Sequence, residues 1–403
     1  MSKYAVELPQ TSIFSGNSTI EQLEQYSNSV DAISLIIHHN ELIKLYKVND
    51  LQKYIINFPK SKRMDKTRAP LMKIYFLPSI THDLSNWPKE AQKIIASVDH
   101  VIASDKLYYT YNDLSLSEAL YLLAPNDNFQ SISFETIGHI AHLNLTENRI
   151  PIKHLIGKVI YDKNKHIKTV VNKVGKLNNT FRTMELELIY GNKNYITTLT
   201  ENGIKFKVDY ENIYWNSRLE TERFRISQLL KPGDFVMDIF AGLGAFAMYT
   251  ARKGCLTFAN DLNPIASQYI YENAQLNKVD HLIHSYNMDA REFINFILSN
   301  KSILTYEINA KLNKGEPVTL HILMNLPEMA PEYLDSFHIL NQLPQVDVQF
   351  HTYLFCKNYE DLSQIKEKAY QSLGFLPNAN FHEVRSVAPN KIMYCMEFSW
   401  QYS

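Results

Sequence analysis

The segment from Phe235 to Phe246 constrains the fold more than any other part of this 403-residue chain. It begins with a short apolar run, FVMDIF, which follows the turn-forming pair Pro232-Gly233 and is typical of a buried strand in a parallel sheet. The next residues, AGLGAF, contain two glycines, which let a backbone turn approach a ligand closely, and then open a helix. A ligand at this turn would lie at the carboxyl end of a strand and at a helix N-terminus. The pattern therefore predicts a cofactor site.

Strands and helices alternate from Tyr210 onward, which is the pattern of a doubly wound α/β sheet. A helix is predicted to begin at Asn263-Pro264, and Gly254 is predicted to end the helix after the first strand. Residues 301–317 carry little signal and are predicted as an insertion or a long loop. The predicted strands are 235–240, 255–260, 282–286, 320–325 and 348–356, followed by a terminal antiparallel pair at 381–387 and 391–398.

The length exceeds what a single hydrophobic core usually supports, so two or three domains are expected. We predict an N-terminal domain over residues 1–130, a middle domain over 131–207 and the doubly wound sheet over 208–403. In the first of these, helical periodicity extends from Ile20 to Tyr54 and over 117–123, and strands are predicted at 72–77 and 98–103. In the middle domain, strands are predicted at 155–161, 167–171, 185–190 and 194–199.

Basic residues dominate the segment from Pro151 to Arg182. Eight lysines and arginines stand there against one acidic residue, Asp162, which gives a net charge of +7 in a chain whose total is −1. A local surplus of this size is expected of a surface that binds a phosphate backbone, although a solvated lysine face gives the same pattern.

The residues around the glycine turn indicate which cofactor it would hold. Gly242-Leu243-Gly244 lacks both the GxGxxG pattern and a Walker lysine, which disfavours a nucleotide triphosphate. Asp261 follows the second strand, where a carboxylate can reach ribose hydroxyls, and Asp289 follows the third, where an adenine would lie. Asp238 is costly inside an apolar strand unless a partner satisfies it. Helix capping also explains Asp261 and Asp289, but the set as a whole favours S-adenosyl-L-methionine over NAD.

Two further polar segments flank the predicted site. Asn325-Leu326-Pro327 follows the fourth strand and resembles the Asn-Pro-Pro loops of class I N-methyltransferases, although such a tripeptide also forms ordinary turns. The run RLETER, residues 218–223, precedes an apolar helix and contains Glu222. Surface ion pairs along a helix explain most runs of this kind. This one enters the sheet on the cofactor side, so one carboxylate and one guanidinium could face a substrate.

The cysteines and the hydropathy pattern narrow the remaining classes. Cys255, Cys356 and Cys395 are widely spaced without CxxC pairing, so we predict neither a disulfide framework nor a metal site. No apolar run reaches the length of a membrane span, and the N-terminus shows no clear presequence. These features predict a protein of a reducing compartment without a membrane partner.

Several long motifs then occur in one order from Phe134 to the end of the chain: ETIGHIAHLNL, IGKVIYDKNKHIKTVVNKVGKLNNTFRTMELE, YWNSRLETER, DIFAGLGAF, NDLNP, MNLPEMAPEYLDSF and VAPNKIMYC. Together they resemble the tRNA (guanine(37)-N(1))-methyltransferases of the archaeal and eukaryotic type, and Asn-Leu-Pro in place of Asn-Pro-Pro resembles the eukaryotic branch. The resemblance implies an α/β fold with a C-terminal class I, Rossmann-like methyltransferase sheet. It also implies smaller α+β N-terminal and middle domains that bind RNA.

The resemblance implies a reaction, the transfer of a methyl group from S-adenosyl-L-methionine to N1 of the guanine beside the anticodon. Glu222 matches the family's general base, and Arg182 matches an arginine that stabilises negative charge on O6 of the guanine. Asn325 and Pro327 match the loop that holds the base. Further substrate-binding residues are Tyr214, Lys163, Lys165 and Lys168. The residues assigned to the cofactor by their place in the fold are Arg218, Asp238, Phe240, Gly242, Gly244, Asp261, Leu262, Asp289, Ala290 and Asn325.

The implied partner is tRNA, contacted through its anticodon loop and its body, and the family expectation is a monomer. The implied compartments are cytoplasm and nucleus, with the mitochondrial matrix disfavoured by the missing presequence. Two alternatives remain: the related wybutosine-pathway aminocarboxypropyl transferase, and a non-catalytic tRNA-binding protein. Glu222 together with the Asn325 loop argues against the first, and the intact set of Glu222, Arg182 and Asn325 against the second.

Overall fold

The computed structural model of the chain divides into two compact units. The first comprises Met1–Thr136, Ile140–Lys173 and Glu187–Lys193, and the second Ile137–His139, Val174–Leu186 and Asn194–Ser403. The predicted division into three domains stays a prediction. The structure describes residues 14–15, 17–56, 65–68, 71–123, 132–175, 181, 183–342, 344, 346–357, 361–374 and 378–402.

The elements up to residue 191 build two four-stranded sheets and the helices that cover them. The helices are α1 (Ile20–Glu24), α2 (His39–Leu45), α3 (Asn49–Gln52), α4 (Lys89–Ala96), α5 (Leu116–Leu123) and α6 (Lys153–Lys163). The strands are β1 (Ser27–His38), β2 (Asp65–Arg68), β3 (Leu71–Phe76), β4 (Val101–Thr110), β5 (Glu135–Ile137), β6 (Ile140–Leu143), β7 (Thr169–Val174) and β8 (Glu185–Gly191). One sheet has the antiparallel order β2-β3-β1-β4, and the other has the order β5-β6-β7-β8 with β6 and β7 parallel.

Two predictions in this half were wrong. The first is the helical periodicity from Ile20 to Tyr54, which is correct for α1, α2 and α3 but wrong between α1 and α2, because residues 27–38 form strand β1 inside its sheet. Four successive residues of β1, from Ala32 to Leu35, are buried because both faces of the strand are covered. A short run buried on both faces cannot be distinguished from a buried helix by periodicity alone.

The second error is the strand predicted at 155–161, which lies inside helix α6. Its buried residues Leu155, Ile156, Val159 and Ile160 recur at helical spacing and form one apolar face. Gly157 lets this helix approach β8 closely, since a Cβ atom at that position would come within 2.4 Å of the Ile189 side chain.

The remaining elements form a hairpin and a seven-stranded sheet. The strands are β9 (Ile196–Glu201), β10 (Ile204–Asp209), β11 (Phe235–Asp238), β12 (Leu256–Asn260), β13 (Ile283–Tyr286), β14 (Thr319–Met324), β15 (Asp347–Cys356), β16 (Asn380–Ala388) and β17 (Lys391–Ser399). The helices are α7 (Glu220–Leu229), α8 (Ala245–Arg252), α9 (Pro264–Leu276), α10 (Ala290–Ile297), α11 (Ile303–Leu312) and α12 (Asp361–Leu373).

The sheet has the order β13-β12-β11-β14-β15-β17-β16. The five strands from β13 to β15 run parallel, and β17 and β16 add the antiparallel pair expected at the end of the chain. This confirms the predicted α/β fold class. The strand order reverses between β11 and β14, which is where open α/β sheets bind ligands at the carboxyl ends of their strands.

The predicted boundaries in this half need two corrections. Strand β11 ends at Asp238, two residues earlier than predicted, because the glycine turn already begins after it. The loop predicted at 301–317 instead contains helix α11, whose start is capped by Ser302 through a 3.0 Å bond from the Thr305 backbone N–H. Among the described residues, no helix is both long and apolar enough to span a bilayer.

Candidate active site

The glycine turn follows strand β11 and opens helix α8. Gly242 has a φ of +58° and Gly244 a φ of +85°, a backbone region in which residues with a Cβ atom are strained. Gly244 is also the N-cap of α8, where a Cβ would lie 3.1 Å from the Met248 Cε atom. At Gly242 no atom of a described residue stands within 4 Å of the Cβ position. The space beside the turn is therefore open, while the turn itself requires both glycines.

Asp238 ends β11 with a fully buried carboxylate. Among the described residues, neither of its side-chain oxygens has a hydrogen-bond partner of normal geometry. Burial, reinforced by the nearby Asp261 carboxylate, raises the pKa of Asp238 to about 8, although the Phe240 backbone N–H acts in the opposite direction. Leaving such a group unsatisfied costs free energy. A ligand with hydroxyl or ammonium donors would satisfy it, so this residue fits a cofactor site.

The two other predicted cofactor carboxylates organise the neighbouring loops. Asp261 accepts a 2.8 Å bond from the Gly242 backbone N–H and a 2.9 Å bond from the Asn263 backbone N–H. Burial raises the pKa of Asp261, and these two N–H donors act against that rise. Asp289 is exposed and caps helix α10 through the Arg291 backbone N–H. Asp289 therefore caps a helix, which was the alternative explanation for this residue. Cofactor binding by Asp261 and by Asp289 stays a prediction.

The strand registers bring several predicted site residues to one edge of the sheet. Asp238 pairs with Leu323 of β14, and Leu323 pairs with His351 of β15. Asn325 comes two residues after Leu323, just beyond the end of β14, and is half-buried. Tyr353 comes two residues after His351 on β15. The other predicted residues on the described part of this edge are Phe240, whose ring packs on Tyr333, the exposed Leu262, the buried Ala290 and the half-buried Pro327.

Glu222 lies in the first turn of α7 and is 4% exposed. Arg225, three residues later, donates two bonds to it, from Nε to Oε2 at 2.8 Å and from Nη2 to Oε1 at 2.7 Å. The Tyr353 hydroxyl donates to Oε1 at 2.8 Å. The His382 Nε2 atom is 3.6 Å from Oε2. The alternative of an ordinary surface ion pair does not describe Glu222, because its carboxylate is buried.

Sequence reasoning missed the partners of Glu222. Arg225 could have been noticed from its spacing of three residues on a helix. Tyr353 comes from a strand 131 residues away, and no local pattern connects it with Glu222. The same holds for Glu397, which accepts a 2.9 Å bond from Arg225 Nη1 and lies 3.2 Å from His351 Nδ1.

His351, Cys395 and Glu397 also have the donor types of a metal site. Their ligand atoms all lie within 4.8 Å of one another. However, Glu397 is already paired with the Arg225 guanidinium, and burial raises the pKa of the Cys395 thiol well above its usual value. A thiolate and a free carboxylate are what a metal requires. The arrangement therefore fits a charge network better than a metal centre.

The predicted substrate residues differ in their exposure and in their hydrogen bonds to the rest of the protein. Tyr214 is 43% exposed, and Arg218 is exposed in the short 3-10 helix Ser217–Leu219 that leads into α7. Both are anchored by Asn216, which donates to the Tyr214 hydroxyl and accepts from the Arg218 backbone N–H. Arg182 lies outside the described residues.

The three lysines predicted to bind substrate lie at and after the end of α6. Lys163 donates to the Tyr111 carbonyl at 2.6 Å and lies over the Tyr111 ring. Burial lowers the pKa of Lys163. Lys165 and Lys168 are exposed, and Lys168 donates only to the Lys165 carbonyl among the described residues. Lys163 is therefore packed against its neighbours, whereas Lys165 and Lys168 form no ion pair with a residue that the structure describes.

Comparison with known proteins agrees with this geometry. Family models match residues 197–358, as the TRM5/TYW2 methyltransferase domain, and residues 117–194, as the TYW2 N-terminal domain. A Mus musculus tRNA (guanine(37)-N(1))-methyltransferase is 38% identical over 302 residues, which cover 72% of this chain and 59% of the relative. A Danio rerio protein of the same name is 39% identical over 333 residues, covering 80% of this chain and 67% of the relative.

The chain belongs to the tRNA (guanine(37)-N(1))-methyltransferase family. The resemblance stated from the motifs is thereby confirmed. The chain spans only about three fifths of the length of the mouse relative and two thirds of that of the zebrafish one. The solved structure of aTrm5 in complex with tRNALeu matches with a TM-score of 0.68 at 20% identity, covering 92% of this chain and all of that chain. At this identity the match shows that the family fold extends over both units.

Proposed function

We propose that this protein transfers a methyl group from S-adenosyl-L-methionine to N1 of guanine 37 in tRNA. The observation that carries the proposal is the position of Glu222. Its hydrogen bond to Tyr353 holds a buried carboxylate at the same sheet edge as the Asp238 carboxylate and the Asn325 loop. A family whose curated members carry this activity in their names supports it.

The acceptor chemistry requires a base. Guanine N1 carries a proton and its lone pair is part of the ring system, so the proton must leave before or as the methyl arrives. An ionised carboxylate has about four acceptor sites. Among the described residues, three hydrogen bonds reach Glu222, two of them to Oε1 and one to Oε2. We propose that the remaining acceptor site on Oε2, which the His382 Nε2 atom approaches to 3.6 Å, takes the N1 proton.

The remaining substrate contacts follow from the family pattern. Arg182 would stabilise the negative charge that develops on O6, and Asn325 with Pro327 would hold the base. Tyr214 and Arg218 are exposed beside Glu222 in the chain and would line the pocket. The target base must leave the anticodon-loop stack to reach these residues.

The cofactor assignment rests on the residues of the sheet edge. In the described part of the chain, no normal hydrogen bond reaches the two Asp238 carboxylate oxygens, and no atom lies within 4 Å of the Cβ position at Gly242. The other residues that would hold S-adenosyl-L-methionine are Arg218, Phe240, Gly244, Asp261, Leu262, Asp289, Ala290 and Asn325. When bound, this cofactor supplies an electrophilic methyl group on a sulfonium centre.

The tRNA would meet the exposed lysines Lys165 and Lys168, whose charges are available to phosphates. The solved aTrm5 relative is itself a complex with tRNALeu, which supports tRNA as the partner. Contact with the anticodon loop, a monomeric state and a location in cytoplasm and nucleus stay predictions of the resemblance. Gel filtration and cell fractionation would test the last two.

Methyl transfer distinguishes this function from the aminocarboxypropyl alternative. The decisive assay uses two forms of the cofactor, labelled in the methyl group or in the aminocarboxypropyl group, with tRNA transcripts that carry guanine or adenine at position 37. We expect the methyl label alone to enter the guanine transcript alone. Equal labelling of both transcripts, labelling of neither, or transfer of the aminocarboxypropyl label would overturn the proposal.

A further inference from the structure

Glu222 stands at one end of a line of charged and titratable side chains that crosses the interior of the second unit. Arg225 links it to Glu397, and Glu397 lies 3.2 Å from His351 Nδ1. The line continues through His351 Nε2, 3.0 Å from His321 Nδ1, and ends at Asp234, 3.5 Å from His321 Nε2. Its members come from α7, three strands of the sheet and the turn before β11.

Arg225 uses each nitrogen of its guanidinium in this line. Nε and Nη2 form a fork on the two oxygens of Glu222, and Nη1 contacts Glu397. A guanidinium is planar, so a two-point fork holds a carboxylate both in position and in its plane. Glu397 in turn holds Arg225 from the other side. Although burial raises the pKa of Glu397, hydrogen bonding and attraction from His351 and Arg225 outweigh burial and lower it to about 2. Glu397 therefore stays ionised throughout the neutral range.

Tyr353 supplies the third contact of Glu222. Its side chain is fully buried and its ring packs on Phe246 at 5.7 Å between centroids. Burial, together with the neighbouring Cys395 and Glu222, raises the pKa of the Tyr353 hydroxyl well above its usual value. The hydroxyl consequently remains a hydrogen-bond donor at any working pH. Both of the groups that donate to Oε1 are thus permanent donors.

We infer that Arg225 and Tyr353 are positioning residues for Glu222, which hold its carboxylate so that the remaining acceptor site on Oε2 is presented to the guanine. The inference rests on the function proposed above. Arg225 is kept in place by Glu397, and Tyr353 by its packing in the sheet. Neither residue needs to touch the substrate, so both act through Glu222.

A double-mutant cycle tests this dependence. Arg225→Gln is made in the wild-type chain and in the Glu222→Gln variant, and the single-turnover rate of methyl transfer is measured with saturating cofactor and tRNA. In the wild-type chain we expect a decrease of about a hundredfold, the order of loss that small misplacements of reacting groups cause. In the Glu222→Gln chain we expect no further decrease. The KM values for cofactor and tRNA should not change, and Arg225→Lys should recover part of the rate.

Arg223 provides a matched control on the same helix. It is as buried as Glu222 and forms its own fork, with Glu201, so its loss removes an ion pair of the same kind. A purely structural role predicts that Arg223→Gln lowers the rate by the same factor in both backgrounds. If Arg225→Gln behaves in this additive way, or if it accelerates transfer, the positioning role is wrong.

Tyr353→Phe is a second test of the inference, which remains usable if the Arg225 variant does not fold. It removes one oxygen atom and leaves the ring contact with Phe246 in place. In the wild-type chain we expect Tyr353→Phe to lower the rate of methyl transfer less than Arg225→Gln does. In the Glu222→Gln chain we expect Tyr353→Phe to cause no further decrease. An unchanged rate in the wild-type chain would show that Tyr353 does not position Glu222. A wild-type chain that methylates neither transcript contradicts the proposed function itself. A wild-type chain that is active with an additive cycle contradicts only the positioning role.

Discussion

The backbone N–H of Gly242 donates a 2.8 Å hydrogen bond to the Asp261 carboxylate, which joins the glycine turn after β11 to the loop after β12. The second Asp261 oxygen accepts from the Asn263 N–H at the start of α9. One carboxylate therefore shapes two of the loops at the predicted cofactor site. This gives Asp261 an organising function in addition to any contact with ribose hydroxyls.

We predict that Asp261→Ala weakens the binding of S-adenosylhomocysteine roughly ten- to a hundredfold, because two hydrogen bonds to a charged acceptor are lost. Isothermal titration calorimetry measures this directly. Asp280→Ala is the control, since Asp280 is an exposed carboxylate in the 3-10 turn after α9. Equal affinities for both variants would show that the turn keeps its shape without Asp261.

Asp238 predicts a pH dependence of stability in the cofactor-free protein. Its pKa is about 8 in the folded chain, above the ordinary value of 3.8 expected when it is unfolded. The folded state therefore binds more protons between these values, and the free energy of unfolding falls as the pH rises through this window, by about 1.4 kcal/mol per pH unit. Asp238→Asn removes this term.

The stability of Asp238→Asn relative to wild type should accordingly increase between pH 5 and pH 8. Urea unfolding of both proteins at the two pH values, without cofactor, gives the difference. A difference that does not change with pH would mean that Asp238 is ionised in the unliganded protein and has a partner there.

The three lysines predicted to bind substrate should fall into two classes, those that contribute to tRNA binding and one that contributes to stability. Lys165→Gln with Lys168→Gln removes two exposed charges, so we expect weaker tRNA binding and a decrease of about 2 in the slope of log affinity against log salt. Filter binding over a range of salt concentrations measures both. Lys301→Gln with Lys314→Gln removes two exposed lysines near α11 and should leave the slope unchanged. The same slope for both pairs would make the first pair an ordinary solvated surface.

Lys163 should behave differently from its neighbours. It donates to the Tyr111 carbonyl and covers the Tyr111 ring, so Lys163→Met should lower the free energy of unfolding on the order of 1–3 kcal/mol. Chemical denaturation checks this value. If the variant has wild-type stability but a smaller slope of log tRNA affinity against log salt, Lys163 contacts tRNA instead.

The parts of the fold that the sequence predicted are those in which local pattern and burial agree. Four of the five parallel strands, β11, β12, β14 and β15, are largely apolar runs, and Asn263 and Gly254 bound helices as capping rules require. Helix α6 was missed because a Leu-Ile and Val-Ile pattern suits either structure over a few residues. What decides in favour of the helix is the packing of Gly157 against Ile189 of β8, which is a tertiary contact.

In the candidate site, too, local sequence pattern predicts some residues, whereas others come together only through tertiary contacts. Asp238 ends β11, and Gly242 and Asp261 follow β11 and β12. A doubly wound pattern implies the order of these strands, so the proximity of the three residues could be predicted. Arg225, Tyr353 and Glu397 could not be assigned to the site, since two of them lie on β15 and β17 and meet α7 only in the folded chain. The sequence therefore marks Glu222 as a candidate base through the family resemblance, but it does not reveal the residues that hold Glu222 in place.

Glu222→Gln tests the base itself. Glutamine keeps the size of the side chain, and a carbonyl oxygen at the Oε1 position can still accept from Arg225 Nη2 and from Tyr353. Its NH2 group replaces the acceptor of Arg225 Nε, and the amide cannot serve as the base. We expect unchanged affinity for S-adenosylhomocysteine and a single-turnover rate of methyl transfer that is roughly two to four orders of magnitude lower. Because the site is buried, loss of the charge could also unfold α7, so circular dichroism and thermal unfolding must accompany the rate. A folded Glu222→Gln variant with wild-type turnover would exclude Glu222 as the base and leave its buried carboxylate with a structural role.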